Sequence, residues 1–575
     1  TSVEGVFAVG DGAKVAGAAA AIAQGELAGM TAARELGLAG DAEASAKAER
    51  SLVEARRFQE ALWSLFEAPP VSLDHLADDT MICRCENLEL GNIRRTIKDG
   101  AASLAVLKRR LRLGMGRCQG RYCLPVVAHL LKKKSSGVLL APAPRLPVKP
   151  FPAALLAMEK PEWGGHRRAS SPDLSRPEPL PPFGDLEAAI VIIGGGVVGA
   201  CLAHELATRG EDVLVVERDD VNLQASGANA GSLHVQLLSF DFGAKAEAGG
   251  GPAAATLPLG PWSVSLWQEL AELAGKDFEI RITGGLMVAE SEAGMTFLRK
   301  KAALERRFGI KAEILDRHEL RKLAPALADS LIGAEYSPRE GKINPLLATF
   351  SVMRRAEQLG ARLLRSADVT ALEPINGGWQ VITNRGSIRA GRVINAAGPW
   401  ARQIGAMVGL DVPVHSAPLQ MIVTDRAPPL VDQLVAHAGR HLSLKQLASG
   451  GIIIGGAWPG RYSEHQNMNV TIRESIEGNL WVARRVLPAL DGLHVLRSWA
   501  GMNVNIDGAP IIGEVPTAPG FFNAVTSNGY TLAPAVARIT TDLICRGRTD
   551  WDVSPYRLER FQRRHRIGQV DGAQP

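Results

Sequence analysis

Long uninterrupted apolar runs are missing from this chain. The longest, residues 188–203, is broken by four glycines and reads as strand, turn and helix, not as a bilayer span. No signal segment is evident at the start. Cysteine is scarce: six in 575 residues do not suggest a disulfide scaffold, so a reducing cytoplasm is the expected compartment. A dominant charge is missing as well. A net charge of +5 is small for this length and makes no whole-protein case for nucleic acid. Internal repeats are not visible. What is present is length enough for several domains and 46% apolar residues, enough for real cores.

The most informative stretch runs from residue 189 to 217. Ala189-Ile190-Val191-Ile192-Ile193 reads as a buried strand. The glycines that follow, Gly194, Gly195, Gly196 and Gly199, give a tight turn and let the backbone approach a pyrophosphate. Residues 200–209 have helical spacing and present a positive helix N-terminus to the phosphates. Glu217 closes the next apolar strand, where a carboxylate can take two ribose hydroxyls. Strand, glycines, helix, strand and terminal acid stand in the order that a dinucleotide site needs.

Composition divides the rest. Residues 1–40 read as a strand at Val6-Phe7-Ala8-Val9, a turn, and an alanine-rich helix. Residues 41–78 read as a charged helical connector, and 79–135 hold four of the cysteines. Residues 141–182 carry eleven prolines, and 136–185 are expected to form an extended linker with no core. Residues 186–560 read as one α/β unit with a strand-rich second part, and 561–575 as a basic tail. A chain that opens on what looks like the last strand of a domain is expected to lack an earlier part. A joining of two neighbouring genes is a further reading.

The cysteines form two tight pairs, Cys83-x-Cys85 and Cys118-x4-Cys123, about thirty residues apart. Four thiolates suit zinc or an iron–sulfur cluster, and the uneven spacing favours iron–sulfur over zinc knuckles. Lys108, Arg109, Arg110, Arg112 and Arg117 crowd the second pair, where cations would offset cluster charge and raise its potential. Free thiols on a basic helix face, and a basic zinc module for binding or regulation, stay open as alternatives. Cys201 and Cys545 fall in helical segments and read as small core residues.

Residues 115–123, with Cys83-x-Cys85 upstream, resemble the [2Fe–2S] domain related to bacterioferritin-associated ferredoxin. That domain occurs near the C-terminus of α subunits of opine oxidases, hydrogen cyanide synthase and multi-subunit amino-acid dehydrogenases. Residues 5–11 look like the closing flavin motif of a pyridine-nucleotide-disulfide-oxidoreductase-like domain, which implies a flavin contact for Asp11. Residues 186–560 resemble the D-amino-acid oxidase-like superfamily, close to the β subunits of the same complexes. The motifs are residues 225–231, 283–287, 341–345, 395–400, 497–501, 507–513 and 528–534. The resemblance implies an α/β fold: a Rossmann-like FAD-binding domain and a discontinuous mixed-sheet substrate domain, preceded by a small helical [2Fe–2S] domain. It implies FAD held by Gly194, Gly196, Gly199 and Glu217 and wrapped by Ser226, Asn229 and Gly231. It sets the ring near Gly398 and the closing residues Gly529, Tyr530, Thr531 and Leu532. Pro534 suits the first turn of that last helix, whose amides would face the flavin where charge accumulates on reduction.

Taking a hydride from the carbon beside a nitrogen needs a dry pocket over one ring face, a substrate anchor, and an amine neutral at transfer. His441, Ser443 and Lys445 alternate along one strand face. His441 and Lys445 are pocket candidates, Lys445 as a carboxylate anchor or as the holder of a water at the flavin N5. Arg497 is a second anchor candidate or a structural ion pair. Glycine-oxidase-like proteins carry a carboxylate-binding Arg two residues after Trp-Ala-Gly, where this chain has Asn503, so opines and cyclic imino acids stay open as substrates. A one-electron cluster beside a two-electron flavin reads as a relay to a second flavin or a quinone. A peroxide-forming oxidase is the alternative.

Overall fold

The computed structural model describes residues 6–10, 13, 16–38, 41–66, 73, 75–101, 103–132, 147, 149–157, 182–463 and 468–561. Two compact units divide the chain, residues 1–76 and 77–575. The first unit is a pair of packed helices, Gly17–Glu35 and Ala42–Leu65. Small residues, Ala20, Ala23 and Ala48, are the ones buried, and the Asp41 side chain caps the second helix by accepting the Ala44 amide at 2.9 Å. The strand expected at residues 6–9 does not form. A strand needs a neighbour to bond, the described part of this unit is helical, and Val6 and Val9 are exposed. Asp11 lies outside the described residues.

In the second unit the cluster module comes first. A short hairpin, Met81–Cys83 with Leu88–Glu89, precedes helices Leu90–Lys98, Leu104–Leu111 and Cys123–Lys132, closed around Ile93, Leu107, Leu113 and Val127. The flavin part is built on a central strand, Leu186–Ile193, parallel to Val213–Val216 on one side and Gly386–Asn395 on the other. Arg362–Leu364 extends it in parallel beyond Val213–Val216, and Ala518–Val525 runs parallel to the end of Gly386–Asn395. Helices Val197–Thr208, Pro345–Gln358 and Gly529–Arg546 pack on this sheet through a large aliphatic core that includes Cys201, with Cys545 half-buried at its margin. The central strand is apolar on both faces because both faces are covered.

A second, nine-stranded mixed sheet forms the discontinuous substrate part. It is antiparallel except where Leu434–His437 runs parallel to Gly285–Ala289. One edge corrects the expected linker. Phe151–Pro152 pairs with His494 and Val495, and Ala153 and Ala157 are buried in the core beneath that sheet. Pro152 fits a sheet edge because an edge strand needs amides on one side only. Residues 158–181 and the tail beyond Phe561 lie outside the described residues.

Candidate active site

Gly194, at the end of the central strand, has φ +112°. The helix begins so close behind it that a Cβ on Gly199 would stand 1.9 Å from the Gly194 carbonyl oxygen. This turn floors a cavity of about 410 Å³ whose wall includes Gly194, Gly196, Glu217, Ser226, Asn229 and Gly398. Ser226 Oγ accepts the Val197 amide at 3.0 Å, and Asn229 Oδ1 accepts that of Gly231 at 2.6 Å, which shapes the wrapping loop. Gly231 itself stands off this wall, with φ +75°. Glu217 accepts the Gly195 amide at 2.6 Å and the Asp219 amide at 2.9 Å. Burial pushes its pKa up to about 7, against the pull of those two amides.

Sequence reading missed Arg218, which stands on the same wall beside Trp400 of the second glycine turn. The guanidinium lies 3.8 Å from the centre of the indole ring. Arg218 Nη2 and Thr526 Oγ1 are buried with no hydrogen-bond partner among the described residues. Two orphaned polar groups, a glycine floor that only backbone lines, and an acid at the strand end fit a dinucleotide. The available signal was adjacency: Arg218 follows the strand-end acid.

Helix Gly529–Arg546 aims its N-terminus at this cavity and at a second one of about 540 Å³, since Gly529 and Tyr530 line both. One expectation changes here, at Pro534. The Tyr530 hydroxyl donates to the Pro345 carbonyl at 2.8 Å and meets Thr349 Oγ1 at 2.7 Å. Thr531 is buried, and Leu532 reaches the second cavity. Pro534 lies inside the helix, not in its first turn. A proline there leaves the Tyr530 carbonyl without its helical donor, and Trp267 Nε1 supplies one at 2.6 Å.

The second cavity is also bordered by His234, Arg440, His441 and Asn503. Asn503 Nδ2 donates to Asn505 Oδ1 at 2.6 Å, so its donor is engaged. Arg440 is held by Glu290 at 2.8 Å. His441 and Ser443 face this cavity, whereas Lys445, further along the same strand face, borders a third.

That third cavity, about 830 Å³, lies between the flavin part and the cluster module. Arg109, Arg112, Arg281, Arg426 and Arg497 make its wall cationic. Lys445 Nζ is fully buried without a hydrogen-bond partner among the described residues, and burial drives its pKa well below the usual lysine range. Arg497 is not at the second cavity. Its guanidinium donates to the Met115 carbonyl at 2.6 Å, and Arg426 donates to the Cys85 carbonyl at 3.1 Å. Both arginines of the flavin part thus hold backbone that leads into or out of the cysteine loops.

The thiols meet as two pairs, Cys83 against Cys123 and Cys85 against Cys118. The Cys123 hydrogen bond pulls Cys83 down to about 6, and Cys123 is pushed up in return. Among the described residues no three His, Cys, Asp or Glu side chains converge on a single metal position. Two close thiol pairs fit the two irons of a binuclear cluster, each held by two thiolates. Gly116 is required where the loops touch, since a Cβ there would meet Cys85 Cβ at 2.2 Å. Three of the nearby cations also make contacts within the module and to the flavin part. Arg112 pairs with Glu86 at 2.9 Å, Arg109 donates to the Asn222 carbonyl at 3.0 Å, and Arg110 donates to the Asp99 carbonyl and covers the Phe350 ring. They hold the module together and onto the flavin part.

Each of the two parts matches a family of known proteins. Residues 189–543 match the family model of FAD dependent oxidoreductases (DAO), and residues 81–133 match the BFD-like [2Fe-2S] binding domain. The B subunit of opine oxidase from Rhizobium meliloti is 29% identical over 388 residues, which is 65% of this chain and 98% of that protein. The beta subunit of sarcosine oxidase from Rhizobium meliloti is 27% identical over 418 residues, 70% of this chain and 95% of that protein. The crystal structure of L-proline dehydrogenase from P. horikoshii superimposes with a TM-score of 0.58 at 27% identity, covering 67% of this chain and 99% of that one. With the family match covering more than half of its length, this chain belongs to the FAD-dependent oxidoreductases of the DAO family and carries a BFD-like [2Fe–2S] domain ahead of the flavin part.

Proposed function

We propose that the chain is a dehydrogenase for the C–N bond of an amino acid, imino acid or opine, and that its electrons leave through the [2Fe–2S] cluster. FAD, when bound, supplies the hydride acceptor. Gly194, Gly196, Gly199 and Glu217 would hold its dinucleotide half, with Arg218 and Thr526 as added donors. Ser226, Asn229 and Gly231 would shape the loop around it. Gly398 and the free amides at Gly529, Tyr530 and Thr531 would border the ring, and the helix N-terminus there favours negative charge.

The second cavity is the proposed substrate chamber, with His441 on its wall and Asn503 in place of an arginine anchor. Its size suits a substrate larger than glycine, in line with the relatives named as opine and sarcosine oxidases. The observation that carries the relay is the cationic third cavity, which shares Asn229 and Ala230 with the substrate chamber and reaches Met115 and Arg112 of the cluster module. Arg112, Arg426 and Arg497 there match an anionic aromatic carrier, so a second flavin is the favoured acceptor and a quinone the other candidate. Both relatives are named as one subunit of an oxidase, which speaks of partner subunits in those proteins. A flavin-bearing partner or N-terminal domain, in the cytoplasm, belongs to this reading.

Anaerobic mixing with sarcosine, L-proline, glycine, D-amino acids and opines tests it. At least one should bleach the flavin, and turnover with a dye or quinone should exceed turnover with oxygen. One peroxide per substrate, with no dye turnover, would establish a plain oxidase instead.

A further inference from the structure

Strand Ser232–Leu233 pairs antiparallel with Gly341–Lys342, Leu233 opposite Gly341. One residue beyond the ladder, the same register sets His234 opposite Glu340. The histidine borders the substrate chamber, and the carboxylate is 1% exposed. Glu340 Oε1 accepts the amides of Val235 at 2.6 Å and Gln236 at 2.9 Å. Its Oε2 accepts from Gln236 Nε2 at 3.0 Å and lies 3.5 Å from His234 Nδ1. Burial works to raise its pKa, but His234 and the hydrogen bonds from Gln236 outweigh it, so the carboxylate stays ionised.

A buried charge network backs this pair. Gln236 Oε1 accepts from Lys301 Nζ at 3.1 Å, and Lys301 bridges Glu305 at 2.7 Å and Glu335 at 3.0 Å, all fully buried. Burial pushes Glu335 up to about 9 against the pull of Lys301, so it holds a proton at neutral pH. Lys301 then balances Glu305, and within this network the group left facing Glu340 is the His234 ring, 3.5 Å away. An uncompensated buried carboxylate is costly, so this contact fixes the orientation of the ring. With Nδ1 on Glu340, Nε2 is left for the chamber. Elsewhere on the wall Arg440 is paired with Glu290 and Asp507 with Arg560, and Asp241 and His441 also stand there.

We propose that His234, oriented by Glu340, is the base that takes the proton from the substrate's ammonium nitrogen in this chamber. The inference rests on the amine-oxidation reading above. In this step an N–H bond of the ammonium breaks and an Nε2–H bond forms on His234. The electron pair stays on the substrate nitrogen, free to form the C=N bond, and nothing is oxidised or reduced. His234 is the catalytic residue and Glu340 a positioning residue.

The test uses the full chain with FAD and the amine that bleaches it best among sarcosine, L-proline and glycine. His234→Ala should keep its flavin spectrum and slow anaerobic bleaching by on the order of 100-fold, and added imidazole should restore part of the rate. Glu340→Gln should slow bleaching too, and the double variant should not respond to imidazole. On the wild type, diethyl pyrocarbonate labelling mapped peptide by peptide should lose bleaching in step with the label on His234, not on His441, and saturating amine should slow that label. This second measurement decides the matter even if a variant does not fold. If none of the three amines bleaches the wild type, the amine-oxidation reading for them falls, and this inference with it. If the wild type is bleached and the variant matches its rate, or activity follows the His441 label, only the role of His234 is overturned.

Discussion

Arg497 donates to the carbonyl of Met115 at 2.6 Å, three residues before Cys118. The arginine belongs to a strand of the substrate sheet, Met115 to the loop that presents the second thiol pair. A charged hydrogen bond from a buried guanidinium contributes about 1.5–3 kcal/mol and ties the second cysteine loop to the substrate sheet. Arg497→Met should leave anaerobic bleaching of the flavin unchanged and lower dye turnover severalfold. Stopped-flow bleaching and steady-state dye reduction on one preparation separate the two effects.

Loss of a thiol should cut the route more completely. Cys118→Ser is expected to drop iron and acid-labile sulfide from about two each per chain to near zero, the content that defines this cluster type. Flavin bleaching by substrate should persist, while turnover with dye or quinone disappears. A partner flavin protein, if dye turnover requires one, is added to both preparations.

Gly196 offers a clean block of the cofactor. A Cβ there would meet nothing nearer than Ser226 Oγ at 3.1 Å, so Gly196→Asp should fold. Its carboxylate would project into the pyrophosphate space and repel it. The purified variant should be colourless with an unchanged far-ultraviolet spectrum.

Glu217 makes the apoprotein sensitive to pH. Its pKa of about 7 lies above the ordinary 4.5, so the folded state binds the extra proton between those values. Stability from this group is therefore full below about pH 4.5 and is lost as pH rises through 7, by an amount of about 3 kcal/mol. Thermal melts of flavin-free protein should fall from pH 5 to pH 8, and Glu217→Gln should flatten that slope while weakening FAD binding.

Trp267 satisfies the carbonyl that Pro534 leaves open. Trp267→Phe keeps most of the packing and orphans a buried acceptor, which costs about 1–3 kcal/mol. Its melting temperature should drop, and adding Pro534→Ala should recover part of the loss, because alanine restores the helical donor to Tyr530.

The parts written in consecutive residues were legible early. Strand, glycines, helix and Glu217 are local, and their order alone implies a dinucleotide cradle; the helix expected at 200–209 runs Val197–Thr208. The two cysteine pairs were likewise readable, since Cys-x-Cys and Cys-x4-Cys are short-range spacings. What could not be read was a partner far along the chain. Arg497 beside Trp499 read as a substrate anchor or a structural ion pair, and its acceptor is 382 residues away. The basic run 108–112 reaches Glu86, Asp99 and Asn222. Tyr530 turns its hydroxyl to Pro345.

By itself, then, the sequence determined the chemistry available: a flavin fold, a four-thiolate module and a family. Backbone turns, helix periods and ligand spacings depend on neighbours a few residues apart, and these are visible in a string. Tertiary structure alone decided which cation faces which cavity, which histidine stands on a buried carboxylate, and that Phe151–Pro152 closes a sheet edge. Those outcomes follow from register and burial. His234 meets Glu340 only because two short strands, more than a hundred residues apart, pair in one alignment, and the cost of an unpaired buried charge then gives the pair its meaning.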